Sequence, residues 1–320
     1  MIRQYLEKDG KLEKQIVQID DIKELIKGSW IEITAPSSEE IEWFQSKLNV
    51  PTEFITSALD EEETAHIDSE DNAKLIVLDV PLYDPVKNSE NAYTTTPFAI
   101  IHTDEHLITV SAQETDLVKN LLLKNRKIEP HKRVRMTLLF LYRLAMTYVT
   151  YLKKIDNQTK EVEKELHHSM RNKELFDLME LNKSLVYFST ALNANKVVLN
   201  KLTRSAEFKK YEDDFDLLED TEIEVNQAIE MCSVYRDILA GMMDAFASII
   251  SNNLNIVMKA LAVITIVLAI PTLVASFYGM NFDNIPLSGS NMGFYNVVIG
   301  SFLLSAIGGL ILYRYTNKMK

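Results

Sequence analysis

Residues 260–282 read ALAVITIVLAIPTLVASFYGMNF, an uncharged run of 23 residues. A bilayer core of about 30 Å needs roughly 20 apolar residues in a helix, so this run is long enough to cross a membrane. A second uncharged run, FYNVVIGSFLLSAIGGLILY, occupies residues 294–313. Two such runs joined by a short segment predict a transmembrane hairpin. Two buried core helices are the alternative.

Positive charges flank this hairpin on one side. Lys259 precedes the first run, and Arg314, Lys318 and Lys320 follow the second. The connecting segment contains Asp283 but neither lysine nor arginine. The positive-inside rule therefore predicts a multi-pass protein of the plasma membrane with both termini in the cytoplasm.

The rest of the 320-residue chain is acidic, because residues 1–254 hold 30 basic and 45 acidic side chains. A negative body argues against nucleic-acid binding, which needs a basic face. A single cysteine, Cys232, excludes an intramolecular disulfide framework and a cysteine-rich zinc site. The sequence shows neither a nucleophilic triad nor a cofactor fingerprint, and we read the histidines as surface residues. We therefore expect no enzyme and no resident cofactor.

The body itself predicts an α+β domain followed by long helices. Residues 16–19, 29–34, 73–81, 95–102 and 106–111 are short β-rich runs, with helix signals near Ser37, near Pro51 and over 115–126. Beyond Pro130, apolar residues recur at alternating steps of three and four in three long runs, which is typical of coiled-coil helices. The third run meets no proline before Pro271, so a single helix over about 213–280 is expected to continue into the membrane.

These patterns give a domain assignment for the whole chain. It comprises a cytoplasmic α/β domain (1–126), long antiparallel helices (127–212), a stalk helix continuing into the first span (213–281, with the span from about 260), an external loop (282–293), a second span (294–313) and a basic cytoplasmic tail (314–320).

One face of the first span carries most of its polar side chains. Residues at three- and four-residue steps form this stripe: Asn255, Met258, Leu261, Thr265, Thr272 and Ser276. Two helices per chain cannot enclose a water-filled path, so a transporter would be a homo-oligomer with this face on a central axis. The spans lack carboxylates, and a lining of amides and hydroxyls suits an ion that keeps its water, as Mg²⁺ tends to do. Hydrogen bonding between helices is the other interpretation of the stripe.

Gly279, Met280 and Asn281 end the first span. They are interpreted either as a helix terminator or as a ring of amides that recognises hydrated cations at the outer mouth. Acidic residues crowd the start of the stalk, including Asp213, Asp214, Asp216 and Asp220. They are either a solvated face or regulatory sites where intracellular Mg²⁺ bridges subunits.

Gly279-Met280-Asn281, closing the first of two C-terminal spans, resembles the signature of the CorA magnesium transporters. Residues 235–244 (YRDILAGMMD) and 251–259 (SNNLNIVMK) are similar to that family's stalk helix. The resemblance implies a funnel-shaped homopentamer that conducts Mg²⁺, often also Co²⁺ or Ni²⁺, and closes when cytoplasmic sites bind Mg²⁺. It further implies pore-lining roles for Asn255, Met258, Leu261 and Thr272, a selectivity role for Asn281 and a metal-binding role for Asp220.

Two alternatives to a Mg²⁺ channel stay open. One is a zinc transporter of the ZntB type, and the other is a membrane-anchored scaffold that transports nothing. The polar stripe favours transport over a scaffold. The absence of Asp, Glu and His from both spans argues against a proton relay within them.

Overall fold

The computed structural model describes residues 1–17, 25–70, 72–83, 93–124, 127–168, 172–208, 211–281, 286–287 and 292–318. The chain divides into two compact units, Met1–Met243 and Asp244–Lys320. Its elements in chain order are β1 (Ile2–Lys8), β2 (Lys11–Val17), β3 (Trp30–Thr34), α1 (Ser38–Leu48), α2 (Thr52–Thr56), β4 (Ile67–Glu70), β5 (Ala73–Tyr83), β6 (Tyr93–His102), β7 (Leu107–Ser111), α3 (Asp116–Lys124), α4 (Arg133–His168), α5 (Asn172–Arg204), α6 (Phe215–Tyr278) and α7 (Gly293–Lys318).

The first unit is built on a seven-stranded sheet with strand order β2-β1-β3-β7-β6-β5-β4. Strands β3 and β7 pair in parallel, and the other neighbours are antiparallel. Phe44 of α1 and Phe54 of α2 pack into the core on one face. On the other face, Phe140 of α4 contacts the rings of Trp30 and Phe98. Burial from both faces explains why β3 and β7 are buried along their whole length.

The sheet is larger than the β-rich runs predict, because β1 and β4 were not predicted. Strand β1 carries Arg3, Gln4 and Glu7, and these polar residues hide its pattern. The dipeptide Asp9-Gly10 joins β1 to β2 with positive φ at both residues, which is the usual geometry of a two-residue hairpin turn. The predicted run at 16–19 is the end of β2, and positions 18 and 19 lie outside the described residues.

The helix signals in the first unit are confirmed at their starts. The Ser37 hydroxyl accepts from the Glu40 N–H, and the Glu40 side chain accepts from the Ser37 N–H, forming a capping box for α1. Helix α2 begins after Pro51 but ends at Thr56, sooner than its residues suggest. Helix α3 occupies most of the predicted segment 115–126.

The two long helices α4 and α5 cover the sheet opposite α1 and α2. Asn195 of α5 takes a core position because it bonds the backbone of Asp79 on β5. Its Oδ1 accepts from the Asp79 N–H at 2.9 Å, and its Nδ2 donates to the Asp79 carbonyl at 2.8 Å. The Tyr148 hydroxyl of α4 donates to the same carbonyl at 2.9 Å. Burial raises the pKa of the Asp79 carboxyl to about 6. These polar contacts fix the register of the helices against the sheet.

The second unit contains the C-terminal part of α6, together with α7. Among the described residues, two helices are long and apolar enough to cross a membrane, and 0% and 11% of their most apolar windows are buried. A core helix of a soluble protein would have most of that window buried, so this exposure argues against the alternative of two core helices.

Candidate functional site

The predicted stripe lies on an exposed face of α6, whose membrane segment is exposed over most of its circumference. Its six side chains are all exposed in the single chain: Asn255, Met258, Leu261, Thr265, Thr272 and Ser276. Half-buried residues of the same segment are Val263, Val267, Ile270, Pro271 and Val274. At about 100° per residue, the centres of these two sets lie on roughly opposite sides of the helix. The polar face is therefore free of intrachain packing.

The half-buried face of α6, which includes Val267 and Ile270, packs against small residues of α7. Ser301 and Ser305 are buried there. A Cβ atom added at Gly309 would lie 2.8 Å from Val267 Cγ2, so glycine is needed for this close approach. Small residues that let two helix backbones approach are the usual basis of helix packing in membranes.

A hydrogen bond between α7 and α6 compensates for the proline inside α6. Pro271 has no N–H, so the carbonyl of Val267, four residues earlier, loses its ordinary helical donor. The Ser305 hydroxyl of α7 donates to that carbonyl. A proline in a membrane helix is tolerated when a neighbouring helix satisfies the freed backbone group in this way.

The threonines of the stripe bond within their own helix. The Thr265 hydroxyl donates to Leu261 O at 2.8 Å, and the Thr272 hydroxyl donates to Leu268 O at 2.9 Å. Their donors do not bond α7, and their oxygen atoms keep lone pairs that can accept from water on an ion. The hydrogen bond described between α6 and α7 is therefore made by Ser305 and not by the threonines of the stripe.

Helix α6 ends at the predicted motif. The Gly279 N–H bonds the Ala275 carbonyl at 2.9 Å, and the Met280 N–H reaches Phe277 O at 3.3 Å. Gly279 does not take the left-handed conformation of a glycine cap, so the terminator interpretation lacks that mechanism. Asn281 follows the last of these bonds and is exposed.

The outer connection is described only in part. The Tyr278 hydroxyl donates to Pro286 O at 3.0 Å, which ties the end of α6 to the connection. Asp283, the acidic residue singled out there, lies outside the described residues.

The acidic residues at the start of the stalk differ in their surroundings. Asp213, Asp216 and Asp220 are exposed. The Asp214 side chain is only 7% exposed, and its Oδ1 lies 2.7 Å from Arg135 Nη1 of α4. Arg135 also donates to the backbone oxygen of Asp213 at 3.3 Å. Asp214 therefore already has a cationic partner within the chain, whereas no ion pair joins the other three to any residue that the structure describes.

The family model of the CorA-like Mg²⁺ transporter proteins matches the sequence over residues 27–315. The chain belongs to this family. A cobalt/magnesium transport protein, CorA, of Methanocaldococcus jannaschii is 27% identical over 274 residues, which is 84% of each chain. The full-length structure of the magnesium transporter CorA from the same organism has a TM-score of 0.78 at 24% identity, covering 98% of this chain and 96% of its own.

The predicted fold class is confirmed by this match: an α+β N-terminal domain, a long helix and two C-terminal helices that are candidate membrane spans. The ZntB cytoplasmic domain from Vibrio parahaemolyticus has a TM-score of 0.59 at 11% identity, covering 79% of this chain and 97% of its own. That likeness is to the fold alone, so the family match carries more weight for function.

The prediction that the histidines lie on the surface is wrong for two of them. His102 and His106 are 6% and 3% exposed. His102 Nε2 bonds the Thr137 hydroxyl at 2.7 Å, and burial lowers the pKa of its imidazole. His106 Nδ1 lies 3.2 Å from the Ser29 hydroxyl. His102 ends β6 and contacts α4 through Thr137, while His106 directly precedes β7 and contacts Ser29. Such long-range arrangements cannot be read from spacing on a helix face. The side chains of His167 and His168 are outside the described part of the chain.

Proposed function

We propose that five copies of this chain form a channel that admits Mg²⁺ across the plasma membrane, with α6 of each copy lining a central axis. The observation that carries the proposal is the orientation of α6: α7 packs on its half-buried face, while the polar stripe lies exposed on the opposite side. A polar face in a membrane helix is stable where it meets water or other polar groups. A ring of copies supplies both.

The lining would act on an ion that keeps its water. Amide oxygens of Asn281 and Asn255 and hydroxyl oxygens of Thr265 and Thr272 accept hydrogen bonds from coordinated water. Apolar rings formed by Met258 and Leu261 would close the path by dewetting. Entry of two charges through 100 mV releases roughly 4.6 kcal/mol, so the potential alone drives uptake. Co²⁺ or Ni²⁺ could follow the same path.

The exposed acids Asp213, Asp216 and Asp220 would serve as regulatory ligands. Like-signed clusters on facing copies repel, and bound Mg²⁺ would bridge them and hold the ring closed. The sequence predicts Asp214 as a member of this set, but its pairing with Arg135 makes it a weaker ligand than the others. Because a ligand shifts a conformational equilibrium only through differential contacts, these acids must lie closer together in the closed state.

Mg²⁺ uptake into proteoliposomes tests the proposal through Asn281→Ala. We expect uptake to be lost although the oligomer, checked by native mass spectrometry, stays intact. Asn296→Ala is the matched control, because Asn296 is exposed on α7 rather than on the stripe. Near-normal uptake by assembled Asn281→Ala would contradict the selectivity role.

The wild-type protein in the same liposomes tests the alternatives. Zn²⁺ flux well above Mg²⁺ flux would favour the ZntB-type interpretation. The absence of any flux would favour the scaffold. A stable monomer or dimer in detergent would contradict the pentamer.

A further inference from the structure

A group of possible metal ligands lies far from the stripe, in the first unit. Glu7, at the end of β1, meets Glu129 and His131 of the segment before α4. Each offers one ligand atom, and these atoms lie within 4.8 Å of one another. Among the described residues this is the one such cluster of three. Glu7 lies more than 120 positions before Glu129 and His131, so spacing along a helix could not have predicted the cluster.

Glu7 supplies an observation independent of the clustering. Its Oε2 atom is buried and lacks a hydrogen-bond partner in the structure. His131 Nδ1 lies 3.4 Å away, and the His131 side chain is 54% exposed. Among the described residues, the buried Oε2 atom of this 23% exposed side chain has only that long ion-pair contact, and a cation held by both groups would satisfy it more fully. The exposed imidazole leaves a route from solvent.

Glu129 is the most buried member, with a side chain only 8% exposed. Its Oε1 pairs with Lys132 at 3.0 Å and Lys127 at 3.3 Å. These lysine side chains are 46% and 72% exposed, so they can turn toward solvent when another cation binds. The Oε2 atom lies 3.9 Å from Arg135 Nε, which is beyond hydrogen-bond distance. Glu129 is therefore held in its carboxylate form and retains an oxygen for a further ligand.

We propose that Glu7, Glu129 and His131 bind a divalent transition-metal cation in preference to Mg²⁺. Imidazole suits Co²⁺, Ni²⁺ and Zn²⁺, whereas Mg²⁺ takes oxygen ligands and retains several waters. Tetrahedral bonds of about 2.1 Å place ligand atoms about 3.4 Å apart. Glu7 and His131 already have that separation. Three protein ligands leave a fourth position for water.

Cobalt binding to the purified full-length protein tests the site. The chelator-stripped protein would be titrated with Co²⁺ in a large excess of Mg²⁺, following visible absorption and bound metal per chain. We expect His131→Asn to lose one Co²⁺ per chain and its share of the absorption. His66→Asn is the matched control, because His66 Nδ1 also lies 3.4 Å from a glutamate, Glu63, but no third described ligand group joins them.

The outcomes separate clearly. Equal Co²⁺ binding by the wild type and His131→Asn would overturn the proposal, and so would complete displacement of Co²⁺ by excess Mg²⁺. If His131→Asn does not fold, Glu7→Gln serves in its place, with the same loss expected. X-ray absorption of the cobalt-loaded wild type should show imidazole scattering, and its absence would also overturn the site.

Discussion

Replacing Ser305 with alanine should destabilise the second unit through the backbone of the other helix. The Ser305 hydroxyl donates to the carbonyl of Val267, which Pro271 has deprived of its helical partner. Ser305 is 3% exposed, so water cannot easily replace the bond. The substitution leaves that carbonyl unsatisfied in an apolar span.

The expected size follows from two known ranges. An unsatisfied buried acceptor costs about 1–3 kcal/mol, while interhelical hydrogen bonds in membranes contribute about 0.6 and at most about 1.7 kcal/mol. We therefore expect Ser305→Ala to lower the free energy of unfolding by about 1–2 kcal/mol. In Pro271→Ala the new N–H at position 271 can bond Val267 O, so removing the Ser305 hydroxyl should cost much less in that background.

A double-mutant cycle in detergent micelles, followed by denaturant unfolding of the helices, measures this coupling. The matched control is Ser301→Ala, because Ser301 is similarly buried on α7 but donates to Val298 within its own helix at 2.8 Å. Its effect should be smaller and independent of Pro271. If Ser305→Ala costs the same with and without the proline, Ser305 does not compensate for Pro271 and the reasoning fails.

Three further predictions concern the first unit. Burial raises the pKa of the Asp79 carboxyl from 3.8 to about 6. The contribution of this group to folding stability is therefore fully present below pH 4 and is lost as the pH rises through 6. Asp79→Asn should raise the free energy of unfolding at pH 8 by up to about 3 kcal/mol and leave it unchanged at pH 4. Thermal unfolding across pH checks this, and a pH-independent difference would contradict it. Arg135→Gln leaves the buried Asp214 carboxylate unpaired and should lower the free energy of unfolding by roughly 3 kcal/mol. Adding Asp214→Asn should recover most of that loss. If denaturant unfolding shows that the losses of the two single variants simply add in the double variant, the two residues do not act as a pair. Asp220→Ala should leave stability unchanged but require more internal Mg²⁺ to close the channel, and currents that close at the parent's concentration would identify Asp220 as a solvated surface residue.

The long elements were predictable because each repeats its pattern many times. Helix α6 runs from Phe215 to Tyr278, close to the predicted 213–280, because a heptad run leads into a long apolar run with no proline before Pro271. Its last residue, Tyr278, directly precedes the predicted motif at Gly279. The two candidate membrane spans were equally clear, because their length against a bilayer follows from composition alone.

Short and polar features were not predictable from local pattern. Strands β1 and β4 hold too few apolar residues to stand out, and they exist because neighbouring strands offer hydrogen-bonding partners. The pairing of Asp214 with Arg135 joins positions 79 residues apart. A run of aspartates therefore conceals one structural member among three exposed ones, and only the fold distinguishes them.

The sequence shows which residues of α6 share the stripe, and the structure shows what packs on the opposite face. Periodicity alone placed the six residues on one face but left two interpretations, a pore lining or bonding between helices. In the structure, α7 contacts the opposite face, and its Ser305 provides the hydrogen bond between the helices. The polar residues of the stripe are therefore not required for packing within the chain. Under the proposed function, a water-filled axis shared by several copies would give these residues a polar environment.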